Sequence, residues 1–112
     1  MVTTTKQTIA HPRRAEIELA AVLHALSDPV RLRIVAALAE ADQLPCGSIE
    51  LPVTKSTCTH HFRVLREAGV IRQHDEGTAR LNTLRRDDLE ARFPGLLATV
   101  LDAAASAPHQ VA

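Results

Sequence analysis

Between Val53 and Ile71 the chain carries one segment, Val-Thr-Lys-Ser-Thr-Cys-Thr-His-His-Phe-Arg-Val-Leu-Arg-Glu-Ala-Gly-Val-Ile, whose spacing dictates a helix with two chemically distinct faces. Thr54 is a good N-cap residue at the head of a run with helical periodicity, and Gly69 is a natural stop. The predicted helix, 54–68, is roughly four turns long. Cys58, Phe62, Leu65 and Ala68 recur on one stripe, suited to packing, while Lys55, Ser56, Thr59, His60, Arg63 and Arg66 lie away from it. Small hydrogen-bonding side chains near a helix start, followed by arginines, suit the reading of base edges and the gripping of phosphates. The same pattern also describes the solvated face of an ordinary core helix, so its neighbours must decide.

Those neighbours are two short strand-like runs, Val70–His74 and Thr78–Leu84, around a turn over Asp75-Glu76-Gly77. A helix followed by a basic hairpin is the arrangement of a helix-turn-helix with a wing. Upstream, Leu19, Val22, Leu23 and Leu26 predict an amphipathic first helix over Ala15–Leu26. Asp28 caps a second helix with Pro29 in its first turn, running to about Ala41, with Arg31 and Arg33 outward. Pro45 and Pro52 bracket Cys46–Leu51, room for about one helical turn. Arg86–Ala105 forms a final helical region broken at Phe93-Pro94-Gly95, because proline disfavours helix at the residue before it.

The charge distribution supports a nucleic-acid partner although the 112 residues balance to a net charge of zero. Residues 55–86 hold seven basic side chains against three acidic ones, a local excess of +4; residues 87–112 hold one against four, and residues 1–50 five against six. The predicted helix and wing thus carry the only positive excess.

In this order and spacing the chain resembles the ArsR/SmtB family of winged-helix transcription regulators over Ala20–Leu101. The resemblance is carried by Leu26-Ser27-Asp28-Pro29-Val30-Arg31-Leu32-Arg33-Ile34, Lys55-Ser56-Thr57-Cys58-Thr59-His60-His61-Phe62, Leu65-Arg66-Glu67-Ala68-Gly69-Val70-Ile71 and Glu76-Gly77-Thr78-Ala79-Arg80. It implies a mainly α fold with a small β-hairpin, a homodimeric winged helix-turn-helix in the order four helices, two strands, helix. It implies a dimeric repressor on an inverted-repeat operator of double-stranded DNA, read by the 54–68 helix and the 70–84 wing. The matching DNA-binding positions are Lys55, Ser56, Thr57, Thr59, His60, Arg63 and Arg80. His61 lies nearer the packing side and is expected to be structural; Arg66, at the helix end, is expected to touch a phosphate or complement the helix dipole. In the family the first and last helices form the dimer interface, a role fitted here by Leu19, Val22, Leu23, Leu97, Val100 and Leu101, against the alternative that both faces close the monomer's own core.

Many relatives of that kind are released from DNA by metal ions, and here the ligand patterns are incomplete. The last helix has Asp87, Asp88, Glu90 and Asp102 but no histidine before His109, and Leu44-Pro45-Cys46-Gly47 offers one cysteine where a Cys-x-Cys pair is needed. No metal site is therefore assigned and no cofactor is required. A zinc or nickel effector would need an unusual set drawn from His11, His24, Cys46 and His109. Cys46 as an oxidisable thiol lacks an adjacent resolving cysteine. A second regulatory protein supplying the signal, or a winged-helix module that binds protein rather than DNA, is the alternative reading.

With 46% apolar but only 2% aromatic residues, the chain is expected to form one helical domain over 13–105, between a flexible arm at 1–12 and a flexible tail at 106–112. No run reaches the roughly 18 apolar residues of a membrane span, and Met1–Ala10 lacks a signal-peptide core, so the protein is expected in the cytoplasm, with Cys46 and Cys58 as thiols and Cys58 buried. Enzymatic readings find no G-x-G-x-x-G, no Gly-Lys-Ser/Thr phosphate loop and no H-E-x-x-H. A Cys58–His61 dyad at i, i+3 is conceivable, yet it would draw its nucleophile from the packing stripe. The chain is therefore not expected to be an enzyme.

Overall fold

The computed structural model describes residues 9–106. Five helices, α1 (Leu19–Ala25), α2 (Pro29–Ala39), α3 (Lys55–Ala68), α4 (Arg86–Arg92) and α5 (Leu96–Ser106), surround a small antiparallel sheet of β1 (Leu44–Pro45), β2 (Ile71–Glu76) and β3 (Ala79–Leu84), ordered β1-β3-β2. The architecture is the expected winged helix-turn-helix, with one strand more than expected. Leu44 and Pro45 pair with Asn82 and Leu81, adding a third strand to the hairpin.

The second and third helices form where their capping residues place them. The Asp28 carboxylate accepts the backbone N–H groups of Val30 (2.8 Å) and Arg31 (3.2 Å), and Pro29 fills the first helical position, where a missing N–H costs nothing. Thr54 Oγ1 accepts from the Thr57 N–H at 3.3 Å. At the other end of α3, Gly69 takes φ +88°, its N–H donates to the Arg66 carbonyl (3.0 Å), and the Val70 N–H donates to Leu65 (2.9 Å). This paired closure satisfies two carbonyls that the helix end would otherwise orphan.

The first helix departs from its expected bounds. Arg14–Glu16 form a 3-10 turn, Ile17 and Glu18 are extended, and only then does α1 begin. The reason is Ile17, which is 1% exposed and sits against Gly69 so closely that a Cβ on that glycine would lie 2.6 Å from Ile17 Cγ1. Burying this side chain in the core takes precedence over continuing the helix. The Cys46–Leu51 segment is likewise shorter than expected, a 3-10 turn over Cys46–Ser48. In the hairpin the turn moves outward to Gly77 and Thr78, with Gly77 at φ +62° and Asp75 facing Arg80 across the strands.

Ile17, Val22, Ile34, Leu38, Phe62 and Leu65 lead the core, each 2% exposed or less. Arg31, expected outward, is buried at 6% exposure, whereas Arg33 is exposed as expected. Arg31 shares the stripe of Ile34, Val35 and Leu38, and burial is tolerable because each of its three guanidinium nitrogens has a partner. Nε donates to the Ala25 carbonyl (2.7 Å), Nη2 to His24 (3.3 Å), and Nη1 lies 3.0 Å from His61 Nδ1. A guanidinium has only donors, so Nδ1 is the acceptor, and Arg31 both closes the end of α1 and fixes α3 to it. His61, 7% exposed, is thus structural, as expected.

Residues 9–12 were expected in a loose arm, yet they are anchored. His11 Nε2 accepts the Gln73 backbone N–H at 2.9 Å and the Pro12 carbonyl accepts from Arg85 Nη1 at 2.9 Å. The rest of the expected arm, residues 1–8, and residues 107–112 of the expected tail lie outside the described residues. Among the described residues no helix is long and apolar enough to cross a membrane.

Candidate nucleic-acid interface

Two elements meet at the candidate site, and a buried polar network holds them in register. Gln73 on β2 and Asn82 on β3 are cross-strand partners, 4% and 0% exposed, joined by Gln73 Nε2 to Asn82 Oδ1 at 2.8 Å. Asn82 Nδ2 also donates to the Leu44 carbonyl (3.0 Å), which ties in β1. Arg66, at the end of α3, donates from Nη1 to Gln73 Oε1 at 2.9 Å. Its side chain is only 17% exposed and fastens the helix to the wing, while its charge stands in the last turn of α3, the position expected for a dipole role. Buried, hydrogen-bonded polar groups of this kind specify one geometry, because a slip breaks bonds in the interior.

On that frame, Lys55, Ser56, Thr57, Thr59, His60 and Arg63 are all exposed on α3, and Arg80 is exposed on β3. The hydroxyls are not equivalent. Thr57 is engaged in the helix cap through Thr54 (3.0 Å between the two Oγ1 atoms), and the Thr59 hydroxyl donates to the Lys55 carbonyl at 3.1 Å. In this rotamer Thr59 therefore presents lone pairs to an incoming donor. His60 stands beside His61 with ring centroids 5.8 Å apart, and of the two only His60 faces solvent. Arg80 makes a two-point contact with Asp75, at 2.9 and 3.3 Å, in which both side chains are over two-fifths exposed. An exposed pair of this type is worth about 0–1 kcal/mol, so a phosphate or groove edge can take the arginine from it at little cost.

A groove of about 410 Å³ runs between α3 and the wing, with Phe62, Cys46 and Cys58 on its walls and Lys55, Arg63, Arg66 and Arg80 along it. Cys58 was expected to be buried and is only partly so. Burial, with Cys46 nearby, pushes its thiol above the usual range, which removes the thiolate that a Cys58–His61 dyad would require. His61 Nδ1 is in any case committed to Arg31.

The residues assigned to dimer contact divide. Leu19 and Leu23 are 45% and 46% exposed, whereas Val22 and Leu97 are buried at 1% and 7% in the chain's own core. Val100 and Leu101 are half-buried against that core. Periodicity groups these side chains on common faces, but Val22 and Leu97 are consumed within the monomer.

For a metal, Cys46 Sγ is 3.2 Å from Asn82 Nδ2, and His11 is held by Gln73 as described. Among the described residues no group of three or more His, Cys, Asp or Glu side chains is placed to hold an ion. His109 lies outside the described residues.

Sequence reasoning missed the Arg31 clamp and the Gln73–Asn82 pair. The first had a signal, the i, i+3, i+4, i+7 spacing of Arg31 with Ile34, Val35 and Leu38. The second depends on strand register and had none.

Comparison with known proteins agrees with this geometry. A helix-turn-helix domain family model matches residues 26–74, the span from α1's end to the middle of β2. An uncharacterized HTH-type transcriptional regulator of Bacillus subtilis, YceK, is 33% identical over 84 residues, covering 72% of this chain and 84% of that protein. Among solved structures, the transcriptional repressor BigR from Xylella fastidiosa superposes with a TM-score of 0.61 at 25% identity, over 81% of this chain and 88% of that one. An ArsR family transcriptional regulator superposes with a TM-score of 0.62 at 21% identity, over 80% and 98% respectively. The chain belongs to the HTH-type transcriptional regulators and shares the winged-helix fold of the ArsR family structure.

Proposed function

We propose that this regulator is a dimeric repressor that reads an inverted-repeat operator with α3 in the major groove and the wing alongside it. The observation that carries this reading is the exposed polar face of α3. Lys55 and Arg63 stand there beside Ser56, Thr59 and His60, and Arg80 on the wing stands in an exposed ion pair with Asp75. Thr59 and His60 discriminate bases; Lys55, Arg63 and Arg80 bind phosphates or the flanking minor groove. Thr57 contributes mainly through the helix cap, and Ser56 through its hydroxyl at the helix start. Dimerisation through the exposed Leu19 and Leu23 of α1 sets two α3 helices about one DNA turn apart. The protein acts in the cytoplasm, where its operator lies.

The test is an anisotropy titration of the protein onto the duplex upstream of its own gene and onto a scrambled duplex, across 50–200 mM salt. Operator affinity should fall with a log–log slope of roughly −0.9 per phosphate neutralised. A flat salt response with no preference between duplexes would sink the reading in favour of a protein-binding module. Repeating the titration after chelation, with zinc or nickel restored, tests a metal effector.

A further inference from the structure

We infer that the groove between α3 and the wing is a binding site for a small organic monocarboxylate with a compact aryl or alkyl body, whose occupancy opposes operator binding. The inference rests on the DNA-binding reading above for its regulatory half only. Arg66 Nε is buried and, among the described residues, is the one buried side-chain nitrogen or oxygen without a hydrogen-bond partner. In the same guanidinium Nη1 donates to Gln73 at 2.9 Å, while Nη2 lies 3.8 Å from Glu67, an ion-pair distance beyond hydrogen bonding. Nε is closed off from the groove, so a ligand meets this guanidinium through Nη2. Arg66 lines the groove together with Lys55 and Arg63, so the acceptor favoured there is anionic.

The walls oppose a fully hydrated anion. Phe62, Cys58 and Cys46 give the groove an apolar side, and with its thiol pushed up by burial Cys58 acts as part of that wall and not as a nucleophile. A volume of about 410 Å³ falls within the range of small-molecule sites, about 300–1,000 Å³. One charge on an apolar body matches both features, whereas inorganic phosphate matches only the cations. Thr59, Arg63 and Arg80 line this groove and are also the residues assigned to DNA, so a bound carboxylate competes with the duplex for the same side chains.

Phenylacetate is the probe, followed by amide shifts of isotope-labelled full-length protein in the absence of DNA. Saturable shifts are expected at Gly47, Cys58, Thr59, Phe62 and Gln73, with phenylethanol and inorganic phosphate at least tenfold weaker. Arg66→Gln should weaken phenylacetate at least tenfold. Gly47→Leu supplies a second variant, because a Cβ there meets no atom within 4 Å and the groove mouth has room for the side chain. It too should lose phenylacetate while keeping operator affinity. Saturating phenylacetate should raise the operator Kd at least tenfold for the unaltered protein and leave that of Gly47→Leu unchanged. Shifts centred elsewhere, equal binding of phenylethanol or phosphate, or full binding by both variants would overturn the site. Groove binding with no change in operator Kd overturns its regulatory role. Loss of operator binding in the absence of phenylacetate would count against the DNA reading alone, since the shift titration contains no DNA.

Discussion

Gly69 is asked to do two things at once, and replacing it with alanine should expose both. Its φ of +88° is left-handed, a conformation that costs an L-residue roughly 1–2 kcal/mol. A Cβ at this position would also lie 2.6, 2.9 and 3.3 Å from Cγ1, Cδ1 and Cγ2 of Ile17, all closer than ordinary contact. Ile17 is 1% exposed and has little space to retreat, so the overpacking should add roughly 1–3 kcal/mol. Gly69→Ala is therefore expected to lose about 2–5 kcal/mol in urea unfolding followed by circular dichroism at fixed protein concentration. Gly77→Ala is the internal control, because its φ of +62° carries the same conformational cost but no atom lies within 4 Å of the new Cβ. It should lose only about 1–2 kcal/mol. Ile17→Ala separates the steric part, since it removes all three clashing atoms. Combined with Gly69→Ala it should be less destabilised than the sum of the single variants by about 1–3 kcal/mol. Equal losses for the two glycine variants, or strict additivity with Ile17→Ala, would refute the assignment of a close approach between the turn after α3 and the segment before α1.

Four other outcomes are expected. Arg31→Met should cost about 2–5 kcal/mol by leaving the Ala25 and His24 carbonyls and His61 Nδ1 without their donor, and a loss below about 1 kcal/mol would show the clamp to be idle. Thr59→Ala and His60→Ala should narrow the gap between operator and scrambled duplex, while Arg80→Ala weakens both about equally; equal losses for all three would remove base readout from α3. Asp88 accepts from Arg14 and Arg85, each at 2.8 Å, and the Arg14 hydrogen bond leads in holding its carboxyl below the ordinary 3.8. A depressed carboxylate contributes stability above its unfolded pKa and loses it as pH falls through the folded one, so Asp88→Asn should flatten the decline in urea midpoint below about pH 4; an unchanged acid limb contradicts this. Leu23→Glu, at a site 46% exposed, should yield folded monomers by sedimentation, whereas a dimer would place the interface elsewhere. Leu97 is unsuitable for that test because, at 7% exposure, a charge there attacks the core itself.

What can be read from the residues is what depends on near neighbours. Thr54, Asp28, Pro29 and Gly69 act on groups within a few positions, so α2 and α3 lie close to their expected bounds. The exposed face of α3 follows from periodicity alone. Ile17 is different, because its burial against Gly69 joins distant parts of the chain and cuts short a helix whose local pattern was continuous. β1 is invisible for the same reason, being two residues, one of them proline, that become a strand only by pairing with Leu81 and Asn82. Arg31 misleads through its chemistry, since an arginine reads as exposed until three acceptors are found around it. The fastening of Arg66 to Gln73 depends on hairpin register, which composition does not encode.

The two ends of the small sheet have a consequence for how copies of this protein meet one another. An outer strand with free N–H groups invites another chain to continue the ladder, the first step toward fibrils and exchanged segments. Here β1 ends at Pro45, which has no N–H to offer, and on β2 the Gln73 N–H is already taken by His11. The short stretch ahead of the first 3-10 turn thus covers one backbone donor on the sheet's margin, where another strand would otherwise bind.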